Sequence, residues 1–149
     1  MSLNLLVPCL LLCACASLSP PVPSATELCG KYSMGFVDYL EEFEIQPAGR
    51  LAWRCWDNGC QTQGVGTWVT SGSEITLVCE VREHSGPRPE GGTMAIRRSK
   101  GYVHLVPLRL VDFYDEYGAE RDMCFSREDD REIGFPSRWA SRGPSASGR

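Results

Sequence analysis

No Lys, Arg, Asp or Glu occurs before Glu27, and only two histidines, His84 and His104, occur anywhere in the 149 residues. The scarcity of histidine narrows the chemistry, because a hydrolytic triad needs a nucleophile, a base and an orienting acid. His84 lies in the polar stretch REHSGPRPEGG, and His104 alternates with Tyr102 and Val106 in a strand pattern. No Gly-x-Ser-x-Gly or comparable catalytic motif accompanies either. The chain therefore reads as a non-enzyme with no catalytic residues. No Cys-x-x-Cys redox pair is present, and no His and Cys sit at zinc-ligand spacings, so neither a metal nor a cofactor is expected. Clustered basic charge is missing too. The formal net charge is −4, and Arg82, Arg88, Arg97, Arg98, Lys100 and Arg109 alternate with apolar residues or sit beside acids. Nucleic acid is not an expected partner.

A membrane-spanning run is also absent. Leu3 to Ala16 is almost wholly apolar, but it falls short of the roughly 20 residues a span requires and is soon followed by Pro20-Pro21. Residues 1–14 fit a cleaved export signal. Ala14-x-Ala16 suits the ordinary secretory peptidase, whose cut would release a soluble secreted protein. Leu12-Cys13-Ala14-Cys15 resembles the bacterial lipoprotein signal, in which an apolar run leads into a lipidated cysteine. That resemblance implies a lipid on Cys15. With Ala16 rather than Asp next, it also implies attachment to the outer membrane, facing the periplasm. Residues 15–26 are uncharged and rich in Pro and Ser, the composition of a flexible tether.

What the sequence does hold is cysteine, eight in all. Cys29, Cys55, Cys60, Cys79 and Cys124 follow either cut, and export would place them where disulfides form. Cys55 and Cys60 flank Asp57-Asn58-Gly59, a reverse-turn signal, and are expected to face each other across a hairpin loop that carries Trp56. Cys29 could tie the first strand to the last through Cys124, or Cys79 could pair with Cys124. An odd number leaves at least one thiol unpaired.

From Glu27 onward apolar residues alternate. YLEEFEIQ, the turn PAGR and LAWRC form one hairpin, with Leu51, Trp53 and Cys55 on one face. VGTWVT, SGSE and ITLVCEV form a second, and TMAIRR, SKG and YVHLVPLRL a third. A last short strand falls near DMCFSR. This pattern predicts an all-β domain over residues 27–127, a small antiparallel meander barrel or sandwich of about seven to eight strands, following the N-terminal signal helix and the tether. Residues 128–149 read as a disordered tail, in which Phe135 and Trp139 could dock back or meet a partner. CGKY and GVGTWVTSGSEITL are similar to the Gly-x-Tyr and Gly-Thr-Trp strands of small lipocalin-like barrels, which implies a barrel, although the chain is short for a true lipocalin and a filled interior is expected.

Candidate contact residues follow from this frame. Trp56 sits beside the Asn-Gly turn. In VDFYDEYGAE, Asp112, Phe113, Tyr114, Asp115 and Tyr117 mix acids with aromatics, a composition suited to a basic partner surface and expected to form a long loop closing one barrel end. Phe43, Trp53 and Trp68 are expected to fill the interior. The reading is a lipid-anchored envelope binding or structural module without catalytic activity, whose partners are the membrane and either an envelope protein or a small apolar ligand. A small apolar-ligand carrier and a secreted enzyme inhibitor are the alternatives.

Overall fold

Tight turns and strict alternation leave little choice of topology. In the computed structural model, which describes residues 21–35, 38–80, 86–89, 91–120, 122–130 and 133, eight antiparallel strands run up and down in chain order. They are β1 (Gly30–Gly35), β2 (Tyr39–Gln46), β3 (Arg50–Asp57), β4 (Cys60–Ser71), β5 (Glu74–Cys79), β6 (Gly92–Ser99), β7 (Tyr102–Pro107) and β8 (Phe125–Arg127). Each pairs with its neighbour, and β8 pairs with both β7 and β1, so the sheet closes into a barrel. The leader with Cys15, His84, Phe135 and Trp139 lie outside the described residues.

The turns are chemically suited to their places. Between β3 and β4, Asn58 and Gly59 take φ of 46° and 85°, and between β6 and β7, Lys100 and Gly101 take 50° and 89°. Positive φ at both central residues matches the right-handed twist of the flanking strands. One barrel end carries only short connections, β2–β3, β4–β5 and β6–β7, whereas the other carries both long ones, β5–β6 and β7–β8, which makes the ends unequal.

One end is plugged. Helix α1 (Ala25–Leu28) begins at a capping box in which Ser24 and Glu27 bond each other's backbone amides, which satisfies two orphan donors. Its Leu28 is fully buried in the core, and the Tyr32 hydroxyl donates to the Leu28 carbonyl at 3.0 Å. Arg127 from β8 donates to the carbonyls of Glu27 and Cys29, at 3.0 and 3.4 Å, and Arg98 from β6 bonds the Glu27 carboxylate at 2.6 Å. That guanidinium, with help from Ser24, holds the Glu27 carboxyl down at about 2. Ala25 and Thr26 thus belong to α1 rather than to a flexible tether.

The plugged half of the barrel is filled as expected. Tyr32, Phe43, Ile45, Leu51, Ile75, Leu77, Leu105 and Phe125 are essentially inaccessible. The Phe43 and Phe125 rings meet at 4.8 Å across the interior, a tilted aromatic contact that adds to burial. The Trp53 and Trp68 indoles are buried with their N–H groups satisfied by the carbonyls of Val65 (3.1 Å) and Gln46 (2.8 Å).

The other end carries the connection from β7 to β8. The alternating pattern predicts that β7 runs on to Leu110 and a loop follows. Instead Pro107 ends the strand, a 3₁₀ turn covers Leu108–Leu110, and helix α2 spans Val111–Tyr117. Proline offers no N–H to continue the ladder and suits the entry to a helix. Gly118, at φ 90°, then ends α2. The tail reading is corrected at its start as well. Glu128 N donates to Lys31 O at 3.0 Å, and Asp130 is buried.

A comparison of glycines tests the closure. A Cβ at Gly66 would lie 2.1 Å from the Val78 carbonyl oxygen across the β4–β5 ladder, whereas one at Gly72 would meet nothing within 4 Å. Gly66→Ala must push two paired strands apart and is expected to cost about 3 kcal/mol, at the upper end for overpacking. Gly72→Ala meets only the left-handed strain of φ 58°, about 1 kcal/mol. Urea midpoints of the two variants measure the difference.

Candidate functional site

Period-two alternation turns Tyr39, Glu41, Phe43 and Ile45 of β2 toward the barrel interior. Glu41 is therefore a carboxyl on a wall of apolar side chains, with 0% of its surface exposed. Such a group needs hydrogen-bond partners to be tolerated. The Tyr39 hydroxyl donates to Glu41 Oε1, and burial together with that carboxylate pushes the Tyr39 phenol well above its ordinary range. Burial first, and Glu41 second, also raises the Cys55 thiol to about 11 and the Cys79 thiol to about 12. The open half of the barrel thus gathers two thiols of raised pKa around one buried acid.

Above these groups lies a cavity of about 340 Å³. Met34 and Tyr39, at the facing ends of β1 and β2, form one side with Glu41. Leu110 and Phe113, from the 3₁₀ turn and α2, line the opposite side with exposed Arg109; Asp122 and Met123 line the side toward β8, and the space is open to solvent. The wall is mainly apolar, with two carboxylates and one guanidinium among its side chains. Phe113 stands on the rim, 54% exposed, and its ring lies 5.6 Å from that of Tyr117. A larger groove of about 470 Å³ runs over Trp53, Gly64 and Gly86–Arg88. Its polar rim of Arg54, Glu80 and Arg88 mixes charge signs and converges on no single point.

The helix beside the cavity is fastened to the outside of the barrel. Strand pairing places Arg97, His104, Ser126, Ser33, Glu42 and Arg54 in register on successive strands, a polar row on the outer face. His104, Ser126, Ser33 and Glu42 are nonetheless buried. His104 Nδ1 lies 2.6 Å from the Tyr114 hydroxyl of α2, and Nε2 lies 2.8 Å from Asp130 Oδ2. A carboxylate can only accept, so the ring proton is assigned to Nε2 and Nδ1 accepts from Tyr114. Asp130 also accepts from Ile133 N at 3.3 Å. Next to this chain, Val106, Tyr114 and Cys124 form a small second core joined by Leu110, Val111, Ala119 and Ile133. Arg97 bonds both carboxylate oxygens of Asp115, at 2.9 and 3.2 Å. Both ring nitrogens of His104 are thus engaged beneath the helix.

Several sequence expectations change. All five cysteines of the domain are unbridged. Register pairs Cys55 with Thr62 and Asp57 with Cys60, so the two thiols are diagonal rather than opposed. Diagonal neighbours lie about 7–8 Å apart, beyond disulfide reach. Cys29 precedes β1 at the plugged end and Cys124 precedes β8 at the open end, so they cannot meet. Cys79 faces inward while Cys124 lies in the outer core, with the barrel wall between them. Trp56 belongs to β3 rather than a loop; its indole N–H donates to Gln61 Oε1 at 3.2 Å. The acidic aromatic stretch is a helix whose residues divide by face. Tyr114 turns to His104 and Asp115 to Arg97, while Phe113 and Tyr117 stay exposed and Asp112 lies in the first turn.

Sequence reasoning missed Tyr39, Glu41, Met34, Met123 and Asp130. Glu41 was findable, since alternation with Phe43 and Ile45 already sets it inward. Asp130, remote in sequence from His104, left no local signal. No family model, no curated protein and no solved structure matches the chain.

Thiol chemistry checks the interior. At pH 8, Cys60, which is exposed, is expected to take up iodoacetamide first, and Cys55 and Cys79 to react only slowly. Because both pKa values are raised, the thiolate fraction of each should grow about tenfold per pH unit through pH 10. Mass spectrometry of quenched samples follows each site, and rapid labelling of Cys79 at pH 8 would contradict the geometry.

Proposed function

We propose that this chain is a non-catalytic binding module that takes a small, largely apolar ligand into the open end of its barrel. The observation that carries this reading is the cavity of about 340 Å³ between Met34, Tyr39, Leu110, Phe113 and Met123. Its size falls at the lower end for small-molecule sites, and its composition, apolar walls with a few polar groups, is the usual one. Glu41 suits an amphiphile better than a pure hydrocarbon, because a buried carboxyl gains from a polar atom on the ligand, and half-buried Asp122 and exposed Arg109 add charge at the rim. Phe113 and Tyr117 at the rim offer an apolar surface for the ligand's approach, or for a donor protein that delivers it.

In this reading the module is exported and held at the outer membrane, facing the periplasm, by a lipid on Cys15. Support for the anchor comes from Leu12-Cys13-Ala14-Cys15 and the uncharged segment that follows. A barrel tethered there can exchange apolar molecules with a lipid surface or an envelope protein. Cavity and anchor rest on separate residues.

The neutral fluorophore N-phenylnaphthylamine reports the cavity. It is expected to brighten on binding the wild-type chain, with Met34→Trp weakening binding at least tenfold by filling the space, which corresponds to about 1.4 kcal/mol. Val69→Trp, on the exposed outer face of β4, should leave binding unchanged. Equal binding by wild type and the Met34 variant would refute the assignment.

A further inference from the structure

We infer that the cavity at the open end takes a cationic amphiphile, an amine head on a short apolar body, and that Glu41 is the counter-ion that selects it. The inference rests on the cavity reading and adds the sign of the ligand's charge. Glu41 lines the cavity with 0% of its surface exposed. A carboxylate in an apolar wall is stabilised by each further donor or positive charge that reaches it. With no water over it, its field is also screened far less than that of a surface charge. The neighbouring groups register that field. After burial itself, Glu41 is the next cause that raises the Tyr39 phenol and the Cys55 and Cys79 thiols.

The inner wall is poorly equipped for an anion. The Tyr39 hydroxyl is already given to Glu41 Oε1, and the side chains of Met34, Leu110, Phe113 and Met123 carry no N–H or O–H donor. Among the described lining residues Arg109 is the one positive side chain, and it is exposed at the rim, where an ion pair with a ligand carboxylate is worth little. An anionic head held there would still lay its apolar body over Glu41. An ammonium brings three donors and no acceptor, so it serves Glu41 at depth while the body lies against Met34, Leu110 and Met123. Half-buried Asp122 adds a second negative charge at the rim. Tyr39 and Phe113 add aromatic rings to the same wall, and a ring face attracts a cation.

Competition against N-phenylnaphthylamine on the full chain tests the sign. Octylamine, octanol and octanoate share one apolar chain, and at neutral pH their heads are a cation, a neutral hydroxyl and an anion. In about 0.15 M salt, which screens distant surface charges, octylamine is expected to displace the probe at a concentration about tenfold or more below that of octanoate, with octanol between them. Glu41→Gln keeps the shape, removes the charge, and should bring the three within about threefold of one another. Asp122→Asn, at the half-buried rim, should lower the amine preference only about twofold. Equal displacement by the three, or a preference for octanoate, would overturn the assignment while leaving the cavity reading intact. A tenfold amine preference that survives in a folded Glu41→Gln would overturn it too, because the counter-ion would then lie elsewhere. The wild-type ordering decides the sign whether or not that variant folds. Failure of the wild type to bind the probe would overturn both readings.

Discussion

The three residues of β8 are the constraint on which the structure depends. Seven strands of a meander leave two edges, and an open edge is a row of unpaired amides and carbonyls. Phe125–Arg127 fills that gap, pairing with β7 through His104 and Leu105 and with β1 through Tyr32 and Ser33. So short a strand contributes few backbone bonds, and its side chains supply the rest. Phe125 stacks inside against Phe43, Ser126 lies in the outer polar row beside His104, and Arg127 reaches the carbonyls of Glu27 and Cys29. One strand thus joins the core, the outer row and the plug.

From closure follows the inequality of the ends. The chain that returns to make β8 must first cross the open end, and it does so as the 3₁₀ turn and α2. That crossing borders the space above Glu41, while α1 fills the opposite mouth. The filled half is rigid for the ordinary reason that its side chains interdigitate. The open half is different, because a buried carboxyl and two high-pKa thiols stand where more apolar volume would otherwise pack. The fold thus leaves space at this end, bordered by a helix fastened from outside.

Much of this was legible in the sequence, and the limits have physical causes. Alternation and turn residues reported the strands well, because Asn58-Gly59 and Lys100-Gly101 encode hairpins locally and Leu51, Trp53 and Cys55 share a face. They did not report α2. Seven residues with one buried side chain make too short an apolar stripe, although Pro107 and Gly118 bracket the helix. The disulfide expectation treated Cys55 and Cys60 as opposed, and a two-residue turn shifts their partners to Thr62 and Asp57. Tyr114 was visible as a candidate but was read as a surface aromatic; its partner His104 faces outward from β7, and burial of that face depends on elements far along the chain. Asp130 fell in a stretch that composition assigned to a tail. The site is made by closure, and closure is the least local property of the fold.

The methionine methyl groups offer the most direct check on a ligand cavity at the open end. Of the chain's four methionines, Met34 and Met123 line the cavity, whereas Met94 is packed in the core at 1% exposure. Carbon-labelled methionine methyls, followed by NMR as N-phenylnaphthylamine is added, should show the Met34 and Met123 resonances moving together while Met94 stays fixed. Saturable binding with Met34 and Met123 both unmoved would place the ligand elsewhere and contradict the account.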